Sequence, residues 1–163
     1  MTKRIFTLVC AATLLLACGK KNKTTDDDRG DNGGFVRFSV EGKKMHDEYF
    51  VAQFTPAGDM FDRDNLQLYN FNPGSTKYPQ LLISLNHPQR DLKKWQFETL
   101  ATEVLAFSVS GQTTPLQSAG QVQILRVSDQ YVEGKFSGEL VHPQTGKTYS
   151  MRGEFKAVLK MNI

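Results

Sequence analysis

The chain has 163 residues, enough for one well-packed domain and too few for two comfortable ones. It holds 20 basic and 17 acidic residues, for a formal net charge of +3, and only two cysteines. So small a charge excess argues against nucleic acid as a partner, and two cysteines exclude a disulfide-rich scaffold.

The N-terminal segment has the organisation of a secretory signal. Lys3 and Arg4 form a short positive region, and residues 5–17 that follow carry no charge. A run this short cannot cross a bilayer as a helix, which takes about 20 residues, but it has the length of a signal-peptide core. We therefore expect residues 1–17 to be a signal peptide that is removed.

The sequence Leu15-Leu16-Ala17-Cys18 stands at the expected cleavage point and resembles the bacterial lipobox. In that motif an aliphatic residue and a small residue precede a cysteine whose thiol is lipidated. The resemblance implies a lipoprotein held in a membrane by acyl chains such as palmitate on Cys18. Gly19 follows instead of the aspartate typical of inner-membrane retention, so the resemblance implies the outer membrane of the cell envelope. It does not indicate which leaflet holds the acyl chains or on which side of the outer membrane the domain lies.

Lipidation and cleavage would change what remains of the chain. Cys10 leaves with the signal peptide and Cys18 is consumed by lipid, so the mature domain has no disulfide, cysteine-based metal site or thiol nucleophile. Residues 18–34 contain no aliphatic or aromatic residue after the cysteine. They cannot bury enough apolar surface to offset their ordering entropy. We expect a flexible linker that spans roughly 20–24 Å.

Residues 35–163 are predicted to form a single β domain. Short apolar runs alternate with polar residues at period two and are separated by Gly, Pro and Asn, which is typical of strands and turns. Only Asp91–Trp95 predicts a helical turn. The expected fold is all-β, an antiparallel β-sandwich or β-barrel with at most one short helical turn. Strands are predicted around Val36–Val40, Phe50–Phe54, Leu66–Tyr69, Leu81–Leu85, Val104–Val109 and Val122–Val127.

The strongest pattern lies in two further strands at the C-terminal end, near Tyr131–Val141 and Thr148–Leu159. Antiparallel pairing of Lys135 with Glu154 places opposite charges side by side, whereas slips of two residues bring like charges together. A slip of one residue would turn the aromatic rings to solvent. The predicted register also sets rings against glycines: Phe136 opposite Gly153 and Phe155 opposite Gly134.

Both ends of this domain resemble small uncharacterised outer-membrane lipoprotein domains of Gram-negative bacteria. The resemblance is carried by Phe38-Ser39-Val40-Glu41-Gly42-Lys43, by Val132-Glu133-Gly134-Lys135-Phe136-Ser137-Gly138 and by Thr145-Gly146-Lys147. These motifs are structural, a glycine–aromatic hairpin and a Thr-Gly turn. The resemblance therefore implies fold and location and brings no catalytic residue.

One loop gathers the best candidates for a metal site. Asp59, Asp62, Asp64 and Asn65 supply the oxygen ligands that calcium prefers. The spacing lacks the EF-hand pattern, and a solvated turn whose side chains bond their own backbone is the favoured interpretation. We expect no metal and no cofactor.

Apolar side chains offer a second kind of candidate. Met60 and Phe61 in the same loop are either exposed anchors for a partner or packed on the core. Four aromatic residues likewise serve either the core or a sugar- or peptide-binding surface: Tyr69, Tyr78, Trp95 and Tyr131.

The residues expected of an enzyme are scattered. His46 is followed by two acidic residues, while His87 and His142 each precede proline, which favours loop edges. Ser108-Val109-Ser110-Gly111 is not a nucleophile elbow.

The favoured interpretation is a membrane-tethered, non-catalytic module that binds an envelope protein, a glycan or a lipophilic ligand. The alternative is a small periplasmic metal-dependent hydrolase that uses His46 and the Asp59–Asp64 loop.

Overall fold

A computed structural model describes residues 33–58, 62–72, 74–88, 91–111 and 116–161. The predicted signal peptide, Cys18 and most of the linker lie outside the described residues, as do Asp59, Met60 and Phe61. Eleven strands are formed in the described residues: β1 Phe35–Val40, β2 Lys43–Asp47, β3 Val51–Thr55, β4 Asp64–Tyr69, β5 Gln80–His87, β6 Thr99–Ala101, β7 Val104–Ser108, β8 Leu116–Ser118, β9 Gly120–Val127, β10 Tyr131–Val141 and β11 Thr148–Met161.

All of these strands belong to one sheet, in the order β2-β1-β11-β3-β4-β5-β7-β8-β10-β9-β6. Every pairing is antiparallel except that of β11 with β3. The sheet curls into a half-barrel, and β10 also pairs directly with β11. The all-β prediction is confirmed. Because β10 and β11 are neighbours, β2-β1-β11-β10-β9-β6 also form an uninterrupted run of six strands.

The hydrophobic core fills the inside of the curl. Its largest member, Trp95, is fully buried and packs edge-on against Phe54 at 6.0 Å between ring centres. Trp95 therefore serves the core rather than a sugar-binding surface. The inward positions of the long strands supply most of the rest: Val36, Phe38, Val40, Phe54, Leu66, Leu68, Leu81, Ile83, Leu85, Leu105, Phe107, Val122, Ile124, Val132, Phe136, Leu140, Met151, Phe155 and Ala157.

The C-terminal hairpin has the predicted register. Lys135 lies opposite Glu154, and the pairing continues without a break along the whole of β10. The one irregularity of β10 falls between Glu133 and Gly134 on its other edge, where it pairs with β9. Rings and glycines face each other as predicted: Phe136 opposite Gly153, and Phe155 opposite Gly134.

A single 3-10 turn, Leu92–Trp95, is the only helical element in the described residues, and it lies where the sequence predicted a helical turn. Asp91 begins it by accepting a hydrogen bond from the backbone N–H of Lys93. The Lys93 amine lies 2.8 Å from Asp129 in the turn between β9 and β10. This hydrogen bond, with the attraction between the charges, raises the pKa of Lys93 and lowers the pKa of Asp129. No helix that could span a membrane occurs in the described part of the chain.

Candidate functional site

The described residues of the acidic loop, Asp62, Asp64 and Asn65, are not gathered around one point as a calcium site would require. Asp62 is exposed, whereas Asp64 begins β4 and is completely buried. Asn65 follows on the opposite face of the strand, where its amide donates to Ser84 and Asn86 of β5. Asp64 and Asn65 are therefore parts of the sheet rather than loop ligands. No group of three or more His, Cys, Asp or Glu side chains in the described residues is arranged to hold a metal ion.

A buried polar cluster lies instead at one end of the core. Asp64 lies opposite His87 on the neighbouring strand, and the Nε2 atom of His87 is 2.8 Å from Oε2 of Glu98. The imidazole also packs at 5.0 Å from the ring of Trp95. His87 lies at a loop edge as predicted, as the last residue of β5, but its side chain is buried in this cluster and only 8% exposed. The proline after it ends the strand without bringing the histidine to the surface.

The Asp64 carboxylate is satisfied at only one of its two oxygens. Oδ1 accepts a hydrogen bond of 2.7 Å from the backbone N–H of Ala57. Oδ2 is buried and has no hydrogen-bond partner among the described residues. Asp64 therefore anchors the chain that leaves β3, at the energetic cost of one unpaired acceptor.

His46 lies far from this cluster in the sheet. It belongs to β2, and β1, β11 and β3 separate β2 from the strand that carries Asp64. Its Nε2 atom lies 2.9 Å from Oε1 of Glu48, and both side chains are exposed. His142 lies in the turn between β10 and β11, where its ring nitrogen accepts from the N–H of Gln144. The structure therefore does not bring His46 and Asp64 together as the hydrolase alternative requires.

A large hollow of the described molecule lies elsewhere, on the outward face of the six-stranded run. It encloses about 940 Å³ and is lined by side chains of β1, β2, β6, β9, β10 and β11. We call it the polar trough. Its volume is typical of a ligand site. Eleven of its sixteen lining residues have polar or charged side chains, although apolar atoms make up the larger part of the surface that these residues expose in it.

Strand registers arrange the lining of the polar trough in two parallel rows, because outward residues of adjacent strands lie side by side. The first row crosses all six strands and consists of His46, Arg37, Glu154, Lys135, Gln123 and Thr99. The second row lies two residues further along each strand and consists of Lys44, Ser39, Arg152, Ser137 and Gln121.

Positive charge dominates one half of the polar trough. Four cations line it, Arg37, Lys44, Lys135 and Arg152, against the single carboxylate of Glu154. Glu154 is 3.7 Å from Arg37, and both are more than half exposed, so this pair contributes only about 0–1 kcal/mol. The described residues provide no ion-pair partner for the other three cations.

The other half of the polar trough is neutral and rich in hydrogen-bonding groups. Gln121 and Gln123 of β9 and Thr99 of β6 expose their side chains there. An amide offers two donors and one acceptor oxygen, and a hydroxyl offers both roles. This half can therefore bind a neutral polar group by hydrogen bonds, while the cationic half attracts an anion.

Sequence reasoning identified the outward charges of the C-terminal hairpin but missed the polar trough. Lys135 was predicted to lie beside Glu154, yet no local pattern places Lys44 of β2 near this pair. That neighbourhood arises because β11 accepts β1 on one edge and β10 on the other. Alternating charge at outward positions of several strands was the one available signal.

Comparison of the chain with models of known protein families, with curated protein sequences and with solved structures gave no match. The site is therefore interpreted from its own chemistry.

Proposed function

We propose that this protein is a lipid-anchored protein of the bacterial outer membrane whose β domain binds a ligand and performs no chemistry. The anchor would be lipid on Cys18, after removal of residues 1–17. Support for it comes from the sequence Leu15-Leu16-Ala17-Cys18 at the end of an uncharged segment. Several acyl chains hold a protein durably because each buried methylene contributes about 0.8 kcal/mol.

The polar trough is the observation that carries the binding role. It is a hollow of about 940 Å³ on the outward face of a sheet whose inward face already forms the core. Its charged and hydrogen-bonding side chains can hold a polar ligand. Of the three apolar side chains that line it, Phe38 and Phe136 are buried in the core and Met45 is partly buried. A glycan or the polar surface of an envelope protein fits this lining better than a lipophilic ligand does.

A non-catalytic role is favoured by the distribution of reactive groups. The polar trough contains one imidazole, His46, and one carboxylate, Glu154, but the imidazole pairs with Glu48. An acid–base pair would need both groups within hydrogen-bond reach of one substrate atom. Binding therefore accounts for the trough with fewer assumptions than hydrolysis.

Site-specific crosslinking in intact envelopes tests this function. Ser137→Cys places a thiol in the polar trough, and in the processed protein it would be the sole free thiol, to which a benzophenone can be attached. We expect light to crosslink this variant to an envelope component. Lys94→Cys on the 3-10 turn is the control and should give no such adduct. Equal labelling from both positions, or from neither, would contradict a binding role for the trough.

A further inference from the structure

The cations of the polar trough alternate between its two rows. Moving across the sheet, Lys44 on β2 is in the second row, Arg37 on β1 in the first, Arg152 on β11 in the second and Lys135 on β10 in the first. Adjacent strands lie about 4.8 Å apart. Four neighbouring strands therefore present one cation each, staggered along a line that crosses the sheet.

This line of charge is not neutralised by the protein itself. Within the described residues one carboxylate lines the polar trough against these four cations: Glu154, which is 3.7 Å from Arg37 and lies opposite Lys135 on the neighbouring strand. Like charges on neighbouring strands repel one another. An anionic ligand would relieve this repulsion, so the cationic half is suited to several negative groups rather than one.

Beyond the cations the same hollow continues into the amide and hydroxyl half. Six strands at about 4.8 Å spacing extend over roughly 24 Å, which suits an extended chain rather than a single small molecule. Gln121, Gln123 and Thr99 offer donors and acceptors to hydroxyl groups. From this combination we propose, building on the binding function above, that the polar trough binds an acidic polysaccharide. Its carboxylate or phosphate groups would lie on the cations and its hydroxyls on the amides.

Other anionic occupants fit less well. A membrane of anionic lipids would use the cationic half but presents no extended chain of hydroxyl groups to the amide half. Single-stranded nucleic acid is held largely by stacking on aromatic rings, and neither Tyr nor Trp lines the polar trough. An acidic polypeptide would use the cationic half but carries no run of hydroxyl groups for the amide half. These three occupants, and the acidic residues Asp26, Asp27 and Asp28 of the chain itself, become outcomes of the test.

Binding of defined polymers to the lipidated full-length protein in detergent micelles tests the proposal. Polygalacturonate, which carries a carboxylate on every sugar, should bind with an affinity that falls as salt is added. Dextran, which is neutral, should not bind. Polyglutamate, polyuridylate and phosphatidylglycerol vesicles should bind at least about tenfold more weakly than polygalacturonate, because they lack its contacts with the amide half. The loss of a charge-assisted contact or of an amide contact changes affinity by about this factor.

Two adjacent lysines on β2 give a matched pair of variants. Lys44→Ala removes a cation from the polar trough and should weaken polygalacturonate binding about tenfold. Lys43→Ala removes the same charge from the opposite face of the same strand and should change little. Gln123→Ala should weaken polygalacturonate but leave the residual binding of polyglutamate unchanged. Equal losses from both lysine variants would overturn the proposal.

The remaining outcomes separate this inference from the proposed function. If polygalacturonate fails to bind while the Ser137→Cys crosslink persists, the trough binds something else and only the acidic polysaccharide is refuted. Equal affinity for polyglutamate would assign the trough to an acidic polypeptide. Replacing Asp26, Asp27 and Asp28 by asparagine should leave the affinity unchanged. A large gain in affinity for polygalacturonate would mean that the linker itself competes for the trough, which would also overturn the proposal.

Discussion

At the residue scale, two glycines explain how a pair of long strands carries several phenylalanine rings on one face. The ring of Phe136 lies over Gly153, where an added Cβ would be 2.6 Å from its Cζ atom. The ring of Phe155 lies over Gly134 in the same way, at 2.8 Å. Each aromatic side chain takes the space that a neighbouring side chain would need, and both rings remain within 6.4 Å of each other.

Gly153→Ala tests this packing. The new methyl group would also meet the carbonyl oxygen of Arg37 at 2.6 Å, which is backbone and cannot move away. Overpacking of this kind lowers the free energy of unfolding by about 1–3 kcal/mol, and the midpoint of urea denaturation should fall accordingly. Gly58→Ala is the control, because no atom lies within 4 Å of its Cβ position. Similar midpoints for the two variants would disprove the packing argument.

Asp64 gives a second prediction at this scale. Asp64→Asn retains an oxygen for the N–H of Ala57 and removes a buried charge whose other oxygen has no donor. We expect Asp64→Asn to be at least as stable as the natural protein, since an unpaired buried charge costs more than an unpaired amide. Asp64→Ala should lose about 1–3 kcal/mol because the Ala57 N–H is left unpaired. Thermal denaturation measures the stability of both variants. A lower melting temperature for Asp64→Asn than for Asp64→Ala would show that the carboxylate itself is required.

At the element scale, the hairpin of β1 and β2 forms one end of the polar trough. Its two-residue turn consists of Glu41 and Gly42, with φ values of 48° and 79°. Positive φ at both positions is the geometry of the type I′ turn that matches strand twist. Glu41 is held there by hydrogen bonds to Ser150 through its backbone N–H and its carboxylate. The turn therefore fixes β2, and with it Lys44, against the rest of the sheet.

Gly42→Ala should loosen this hairpin. A non-glycine residue at positive φ costs about 1 kcal/mol, and β2 lies at the edge of the sheet with one neighbour only. We expect faster hydrogen exchange at the amides of β2 and a small loss of global stability. Gly146→Ala, in the turn before β11 with φ of 67°, is matched in backbone strain and should leave β2 protected. An equal rise in hydrogen exchange at the β2 amides of Gly42→Ala and Gly146→Ala would contradict a local effect of Gly42.

The elements that sequence reasoning could and could not predict differ in physical character. The β10–β11 hairpin was predictable to the register because alternating charges and glycine–ring pairs exclude every neighbouring slip. Strand β2, with the sequence KKMHD, was missed because its partly exposed face shows no apolar alternation. β6 and β8 have three residues each, too short for a period to be recognised. The rows of the polar trough depend on strand order, which no local pattern contains.

At the scale of the whole molecule, the proposed tether and the polar trough meet at β1. Phe35 begins this strand directly after the expected linker, and the strand's outward residues, Arg37 and Ser39, line the trough. A flexible linker of residues 18–34 would keep the trough within roughly 20–24 Å of the membrane. Anchoring at this distance would raise the local concentration of the protein around polymers attached to the same membrane.

The anchor itself is tested by Cys18→Ser. Lipid attachment requires the thiol, so this variant should move from the membrane fraction to the soluble fraction, whereas Cys10→Ser should remain with the membranes. A high-salt wash removes any residual attraction of basic residues to head groups, which is screened within about 10 Å at 0.1 M salt. Mass spectrometry of the N-terminal peptide should show acyl chains on Cys18 in the natural protein and in Cys10→Ser. A processed Cys18→Ser protein that still pellets with washed membranes would refute the lipid anchor, because no helix in the described residues could hold the protein there.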